Sequence, residues 1–422
     1  MGLEPVIDKP GFAEEFAILQ QTLGTPPLPW LSQCQRSNGK LQNNLANVLV
    51  GLRNDSLLST AIAFNEMLGT TFLVKPLTIE FNQLNFTPRP TMDHDVTRIQ
   101  EYLQLAGLKG IGKDVTWQAI DARAMECKFH PLREHLAALS WDGVVRIDKW
   151  LSKYLGAESG PYASRIGEMF LISMVARVFE PGCKVDYMLV LEGPQGAGKS
   201  TACSILGREW FSDCMPEVTG GKDVSQHLAG KWLIEIAEMS AMNRAETSHL
   251  KAFVTRSSEQ YRPPYARKEI LQPRQCVFIG TTNKSVYLRD ETGGRRFWPL
   301  KVGTIDSVGL KADRDQLLAE AVKQYQCGKQ WYPDAEFERL YIKPEQQARF
   351  ETDPWEHHIR SRLELFKSEK VYIRDLLIDE LHIEPGRQSR SDSLRVAHIL
   401  EHLGWIRLKK DSKGNVPWGL PS

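Results

Sequence analysis

Apolar residues in this chain recur on two periods, and the change from one to the other marks out its organisation. Residues 1 to about 90 mix short helical patterns at 12–23 and 57–68 with polar loops, around the breaker Thr25-Pro26-Pro27-Leu28-Pro29. Val96, Ile99, Tyr102 and Leu103 stand at helical spacing, which predicts an amphipathic helix over 93–105. A second follows at 116–127. After His130-Pro131-Leu132-Arg133 and an aromatic cluster from Trp141 to Trp150, residues 160–178 predict a buried helix. From about 185 to 300, short apolar runs alternate with longer helical patterns, the rhythm of an α/β fold with a mostly parallel sheet. The strands fall at 187–191, 232–237, 276–281 and 297–301, and a helical stretch follows at 314–327. Residues 354–422 then read as three short helices and a strand–turn–strand at 405–408, 409–415 and 416–420, the order of a winged-helix domain. The expected division is a mixed region at 1–90, a helical domain at 91–180, a core at 181–335 and a winged-helix-like domain at 354–422.

Composition narrows the picture without naming a function. A chain of 422 residues has room for two or three domains, and 42% apolar with 25% charged residues is ordinary for a globular protein. The formal charge is only +1, so contact with nucleic acid must come from local basic clusters. The seven cysteines (Cys34, Cys127, Cys183, Cys203, Cys214, Cys276 and Cys327) are odd in number and show no C-x-x-C spacing. That argues for reduced thiols in a cytosolic compartment and against a zinc site. No apolar run approaches the roughly 18 residues of a spanning helix, and the start lacks a signal-peptide layout. A soluble, cytoplasmic protein without a membrane partner is expected.

The strongest chemical signal lies where an apolar run ends in glycines. Met188-Leu189-Val190-Leu191-Glu192 leads into Gly193-Pro194-Gln195-Gly196-Ala197-Gly198-Lys199-Ser200-Thr201, the phosphate-loop pattern G-x-x-x-x-G-K-S. The glycines let backbone N–H groups turn inward around phosphates, and Lys199 reaches the β and γ oxygens. Ser200 offers a hydroxyl to Mg²⁺, and the following helix presents its positive end. The expected ligand is ATP with Mg²⁺, on Gly193, Gln195, Gly196, Ala197, Gly198, Lys199, Ser200 and Thr201.

Such a loop needs an acid on a neighbouring strand. In Trp232-Leu233-Ile234-Glu235-Ile236-Ala237-Glu238, Glu238 falls at the strand's exposed end and is the candidate water-activating base. Glu235, deeper in the run, joins Ser200 and Glu238 in the Mg²⁺ set unless it is an edge-strand carboxylate facing solvent. The strand of Val277-Phe278-Ile279-Gly280-Thr281-Thr282 ends at Asn283, whose amide can donate to a γ-phosphate and accept from water. A plain turn residue is the alternative there. In Gly293-Gly294-Arg295-Arg296-Phe297-Trp298-Pro299, Arg295 or Arg296 is the candidate finger lent to a neighbouring copy's ATP. The competing reading stacks that arginine on Trp298 or pairs it with Asp290.

Between the acidic and Asn strands, basic residues interleave with two tyrosines from Lys251 to Lys268. Lys251, Arg256, Tyr261, Arg262, Tyr265, Arg267 and Lys268 suit single-stranded DNA, with cations on phosphates and rings for stacking. The prolines argue for a loop or hairpin projecting from the sheet, and a solvated charged loop is the competing reading. Lys409, Lys410 and Lys413 in the expected wing could touch a duplex backbone.

Taken together, these segments resemble the virulence-associated protein E family, related to superfamily 3 and poxvirus helicases of phages and mobile elements. The likeness rests on Trp141-Asp142-Gly143, Pro181-Gly182-Cys183-Lys184, the phosphate loop, Gly221-Lys222-Asp223 and residues 232–238. It continues through Lys251-Ala252-Phe253, Tyr261-Arg262-Pro263-Pro264-Tyr265, Gly280-Thr281-Thr282-Asn283 and the arginine pair, covering roughly residues 90 to 330. It implies a helicase-like ATPase of mobile-element replication, forming a ring, with a hexamer expected, and acting on single-stranded or forked DNA. In such rings the segment between the acidic and Asn strands carries the DNA-binding hairpin. The family is often fused to a primase; here the first 90 residues read as too helical and too short for one, so a separate primase or initiator partner is implied. The alternatives are an ATP-switched replication initiator without processive unwinding and, less well matched, a small-molecule kinase.

Overall fold

The protein's structure, a computed structural model, describes residues 28–77, 86–216, 222–241, 244–262, 269–288, 295–350, 353–366, 370–412 and 414–421. It divides into two compact units, Met1–Ser285 with Gly293–Glu345, and Val286–Thr292 with Gln346–Ser422.

The first unit is built on a five-stranded sheet. In chain order its strands are β1 (Met188–Glu192), β2 (Phe211–Ser212), β3 (Leu233–Ile236), β4 (Val277–Thr282) and β5 (Phe297–Lys301). They stand in the order β5-β1-β4-β3-β2, and every pairing is parallel. Both faces of such a sheet are covered, so β1 and β4 are buried at every position and read as continuous apolar runs. The expected α/β class is therefore what the chain adopts. β5 keeps its expected limits, and β1, β3 and β4 lie within a residue of theirs. β2, at two residues, is too short to leave a periodic signal.

Four helices matter for the site: α1 (Pro161–Phe179), α2 (Lys199–Gly207), α3 (Arg244–Val254) and α4 (Ser307–Gln326). α1 is buried on nearly every side, as its largely apolar run from Met169 to Phe179 requires. Its Met169, Phe170 and Val175 share one core with Leu189 and Leu191 of β1, Ile279 of β4, Trp298 of β5 and Leu317 of α4. Gly280 sits where β4 passes under the turn that follows β3. A Cβ there would stand 2.3 Å from Met239 Sδ and 3.2 Å from Val190 Cγ2.

A second core cluster runs from Trp30 to Ala124 and spans the division expected at 90. Helices Leu45–Asn54, Asp93–Leu105 and Lys113–Glu126 accompany a small sheet in the order Arg89–Pro90, Thr70–Leu73, Ile62–Asn65, Lys128–Phe129. Asp55 is buried beneath them and accepts hydrogen bonds from Trp30 Nε1 at 2.9 Å and the Tyr102 hydroxyl at 2.7 Å. The helix expected at 57–68 is absent. Asp55 Oδ1 takes the N–H groups of Leu57 and Leu58, Asn65 Oδ1 takes those of Met67 and Leu68, and the stretch between becomes a strand of a tight hairpin. Side-chain oxygens that capture nearby N–H groups compete with helix in this way. The region is thus less helical than its sequence suggests. The helix expected at 12–23 and the breaker residues Thr25, Pro26 and Pro27 lie outside the described residues.

The second unit has its own core, including Ile359, Leu376, Val396, Leu400, Trp405 and Trp418. Around it stand α5 (Pro354–Phe366), a helical turn at 373–380 and α6 (Arg390–His402), followed by a ribbon pairing Ile406–Arg407 with Trp418–Gly419. α6 starts in a capping box, with the Ser389 hydroxyl accepting from the Asp392 N–H and the Asp392 carboxylate from the Ser389 N–H. All seven cysteines are free thiols. Among the described residues no helix is long and apolar enough to cross a membrane.

Candidate functional site

β1 ends at Glu192 and α2 begins at Lys199, so six residues must turn the chain from sheet to helix. Gly196 and Gly198 do so at φ +78° and +88°, backbone that glycine adopts without a Cβ penalty. Gly193 is needed for a different reason. Its N–H donates to Thr282 O at 3.2 Å, and a Cβ there would meet Val302 Cγ2 at 2.8 Å. The Lys199 side chain folds back over the loop, donating from Nζ to Gly193 O at 2.7 Å and Pro194 O at 2.8 Å. Burial holds its amine below the ordinary lysine range, with the Glu235 carboxylate working against that shift. Together the loop, β3 and β4 enclose a cleft of about 410 Å³.

Residues 195–201 line that cleft, with Glu235, Ala237, Glu238, Thr281, Thr282 and Asn283. Of the expected nucleotide ligands, Gln195, Gly196, Ala197, Gly198, Lys199, Ser200 and Thr201 are therefore at one place, and Gly193 forms the turn behind them. Glu235 lies in β3, which runs between β4 and β2, so it is an interior carboxylate and the solvent-facing alternative falls. Its Oε1 accepts from Ser200 Oγ at 2.7 Å and Thr281 Oγ1 at 2.6 Å, whereas Oε2 is buried without a donor. An unmatched buried carboxylate oxygen is costly, and beside a serine hydroxyl it is what a hard divalent cation satisfies. Among the described residues no group of three or more His, Cys, Asp or Glu could hold a metal alone. A cation at Glu235 and Ser200 would complete its shell from phosphate and water oxygens, as Mg²⁺ commonly does.

Glu238 stands two residues past β3, exposed and facing the same cleft. Its φ of +51° lies in the left-handed region, a strain that non-glycine residues tend to keep at functional positions. Asn283 follows the last residue of β4 and is exposed at the cleft. Thr281 was missed by sequence reasoning as a site residue. The signal was present, since two hydroxyl residues close an otherwise apolar strand.

The model of the virulence-associated protein E-like domain matches residues 136–351, just over half of the 422 residues. The chain belongs to that family. No curated protein matches it. Three solved structures of the NrS-1 C-terminal region align with it. An apo structure of the region (305–718) is 12% identical, covers 86% of this chain and 96% of its own, and has a TM-score of 0.45. Two A-form apo structures reach 11% and 10% identity at TM-scores of 0.44 and 0.48, with the same coverage.

Within the matched part of this VapE-like chain, the segment between the acidic and Asn strands is a hairpin. Ser258–Tyr261 pairs antiparallel with Ile270–Pro273. Arg262 is exposed at its outer end and Arg256 is exposed at its root, the guanidinium 5.3 Å from the Phe253 ring and 3.8 Å from Glu259. Two expected surface residues are buried instead. Lys251 falls in the apolar stripe of α3 with Leu250, Phe253 and Val254, its ammonium 6.0 Å from the Phe297 ring. Tyr261 shares the inward face of its strand with Glu259, and its hydroxyl donates to Gln272 Oε1 at 2.8 Å, so its ring is not offered to a base. Tyr265, Arg267 and Lys268 lie outside the described residues.

Arg295 and Arg296 are far from their own chain's cleft. They precede β5, whose Phe297 pairs with Met188 at the start of β1 and whose Lys301 pairs with Glu192 at its end. A five-residue strand at about 3.3 Å per residue therefore puts roughly 16 Å between the arginines and the loop end of the sheet. One face of Trp298 is taken by Tyr187, ring centroids 4.9 Å apart. Arg295 is exposed, and Arg296 is half-buried with its Nε unpartnered. Asp290, Gly293 and Gly294 lie outside the described residues.

Proposed function

We propose that this chain is an ATP-hydrolysing DNA motor of phage or mobile-element replication, working as a ring, a hexamer by resemblance. One observation carries the reading: Lys199, Ser200, Glu235, Glu238 and Asn283 share one cleft, while Arg295 and Arg296 stand at the opposite ends of the same strands. A site whose own cation, Lys199, is taken up along the β and γ phosphates, on a chain that displays two further cations at the far end of the same strands, is completed by a neighbour. Lys199 would leave its two carbonyls for phosphate oxygens. Mg²⁺ on Ser200 and Glu235 would neutralise charge developing between the β and γ phosphates. Glu238 takes the proton of the attacking water, and Asn283 orients that water. The hairpin follows single-stranded DNA through Arg256 and Arg262, and the second unit acts as a winged helix.

The test is mixing. A Lys199→Ala variant keeps its arginines, and an Arg295→Ala/Arg296→Ala variant keeps its cleft. Each alone should be inactive, whereas equal mixtures should recover turnover, with roughly a quarter of random interfaces complete. Mixtures as inactive as their components would end the shared-site reading. Replacing Arg262 and Arg267 by Ala should weaken single-strand binding and lower the salt slope by about 1.4. Unchanged affinity and slope would detach the hairpin from DNA. Turnover stimulated by single strands without strand separation would favour the initiator, and turnover indifferent to DNA the kinase.

A further inference from the structure

The region ahead of the matched domain carries a device that none of this chemistry uses. Arg36–Ser37 pairs antiparallel with Lys40–Leu41, and the ribbon turns at Asn38 and Gly39, with φ of +49° and +76°. A ribbon this short is not held by its own pairing. Asn47, buried in the helix Leu45–Asn54, holds it from beneath. Its Oδ1 accepts from Gln35 N at 2.7 Å, and its Nδ2 donates to Gln35 O at 2.9 Å and Gln42 O at 2.8 Å. Asn44 Nδ2 braces the same two residues, donating to Gln35 Oε1 and Gln42 Oε1, each at 2.9 Å. A second loop is fastened alongside. Gly110 N donates to Asn43 Oδ1 at 3.0 Å, and a Cβ on Gly107 would stand 3.1 Å from Leu41 Cδ1.

What this framework presents is charge. Residues 36–40 are all exposed, so the tip adds nothing to the core. Arg36 lies opposite Leu41, on the ribbon face turned to the 107–110 loop with its exposed Lys109, whereas Lys40 lies opposite Ser37 on the other face. Arg36 Nη1 donates to Gly39 O at 3.1 Å, which brings its guanidinium to the turn. Among the described residues none of Arg36, Lys40 and Lys109 is in an ion pair. The chain holds no Asp or Glu from Leu28 to Asn54 or from Gln104 to Lys113. Of the flanking acids, Asp55 is buried, Asp93 pairs with Lys113 at 3.2 Å, and Asp114 is exposed in the first turn of the following helix.

The geometry points to duplex DNA as the partner of this ribbon, with Arg36 and Lys109 on one phosphate backbone and Lys40 on the other. Cations on both faces of a thin ribbon meet two backbones, which a groove presents and a single strand does not. A B-form major groove, about 12 Å wide, admits a two-stranded ribbon. Single strands are gripped by stacking bases on rings, and Trp30, the one aromatic residue in 28–54 and 104–113, is buried with its indole N–H on Asp55. An acidic peptide would want an apolar anchor, and residues 36–40 offer none. The inference does not rest on the motor reading, since this contact requires no ATP.

The experiment titrates the full chain, without nucleotide, against a labelled DNA duplex of about 20 base pairs and a single strand of the same length. The triple change Arg36→Glu, Lys40→Glu and Lys109→Glu should lower duplex affinity at least about tenfold, with single-strand affinity within about threefold and DNA-free ATP turnover unchanged. Replacing the same three by Ala should lower the duplex salt slope by about 2.7, about 0.9 for each phosphate given up. The charge-keeping set Arg36→Lys, Lys40→Arg and Lys109→Arg should stay within about threefold of the parent, which separates lost charge from misfolding. Duplex affinity unmoved by the Glu set would overturn the proposal. So would equal losses for duplex and single strand, or a labelled acidic peptide that loses binding to the Glu set while the duplex does not.

Discussion

Replacing Glu238 by Gln should leave nucleotide bound and cut its hydrolysis by about 10²–10⁴, the usual contribution of a positioned general base. The two carboxylates of the cleft divide the work by environment. Glu235 is interior, with one oxygen already taken by two hydroxyls and the other buried without a donor, where the proposed Mg²⁺ would be held. It has no room to receive a proton from water. Glu238 is exposed to the cleft and makes its approach from a left-handed backbone that costs about 1–3 kcal/mol to hold. Gln preserves that backbone and the side-chain shape while removing the basic oxygen, so folding and binding are left alone. Fluorescent-nucleotide titration and phosphate release on the same sample read the two effects separately. Wild-type turnover in the variant would take the base role away from Glu238 and send the search to Asn283 and the hydroxyls of Thr281 and Thr282.

What could be read from the sequence was what is local. The phosphate loop is contiguous, its glycine spacing follows from backbone conformation, and residues 195–201 do line one cleft. Strands β1, β4 and β5 were legible because a parallel sheet covered on both faces leaves unbroken apolar runs. The segment 57–68 failed because Asp55 and Asn65 cap its N–H groups, a competition invisible to hydrophobic spacing. Lys251 and Tyr261 failed because charge and aromaticity say nothing about which face of an element turns inward. The remoteness of Arg295 and Arg296 from the cleft comes from strand register, which composition does not carry.

The largest stability effect is expected at the root of the hairpin, where Arg274 and Glu259 form a buried ion pair. Arg274 Nε donates to Glu259 Oε1 at 3.1 Å, and Nη1 donates to the carbonyls of Phe253 at 2.6 Å and Val254 at 3.3 Å, the last two residues of α3. Its guanidinium also lies 4.5 Å from the Phe253 ring and 5.1 Å from that of Phe278 in β4. Ser225 closes the other side by donating to Glu259 Oε2 at 2.9 Å. One cation thus joins the end of α3, both arms of the hairpin and the strand that leads to Thr281 and Asn283. Removing one partner strands the other charge in the interior, so Arg274→Met or Glu259→Leu should each cost about 3–5 kcal/mol. The double variant should cost less than the sum by at least about 1 kcal/mol, although the α3 carbonyls still lose their donor. Denaturant melts of the four proteins give the coupling directly. If the single changes are mild and additive, the hairpin is held by its strand pairing alone.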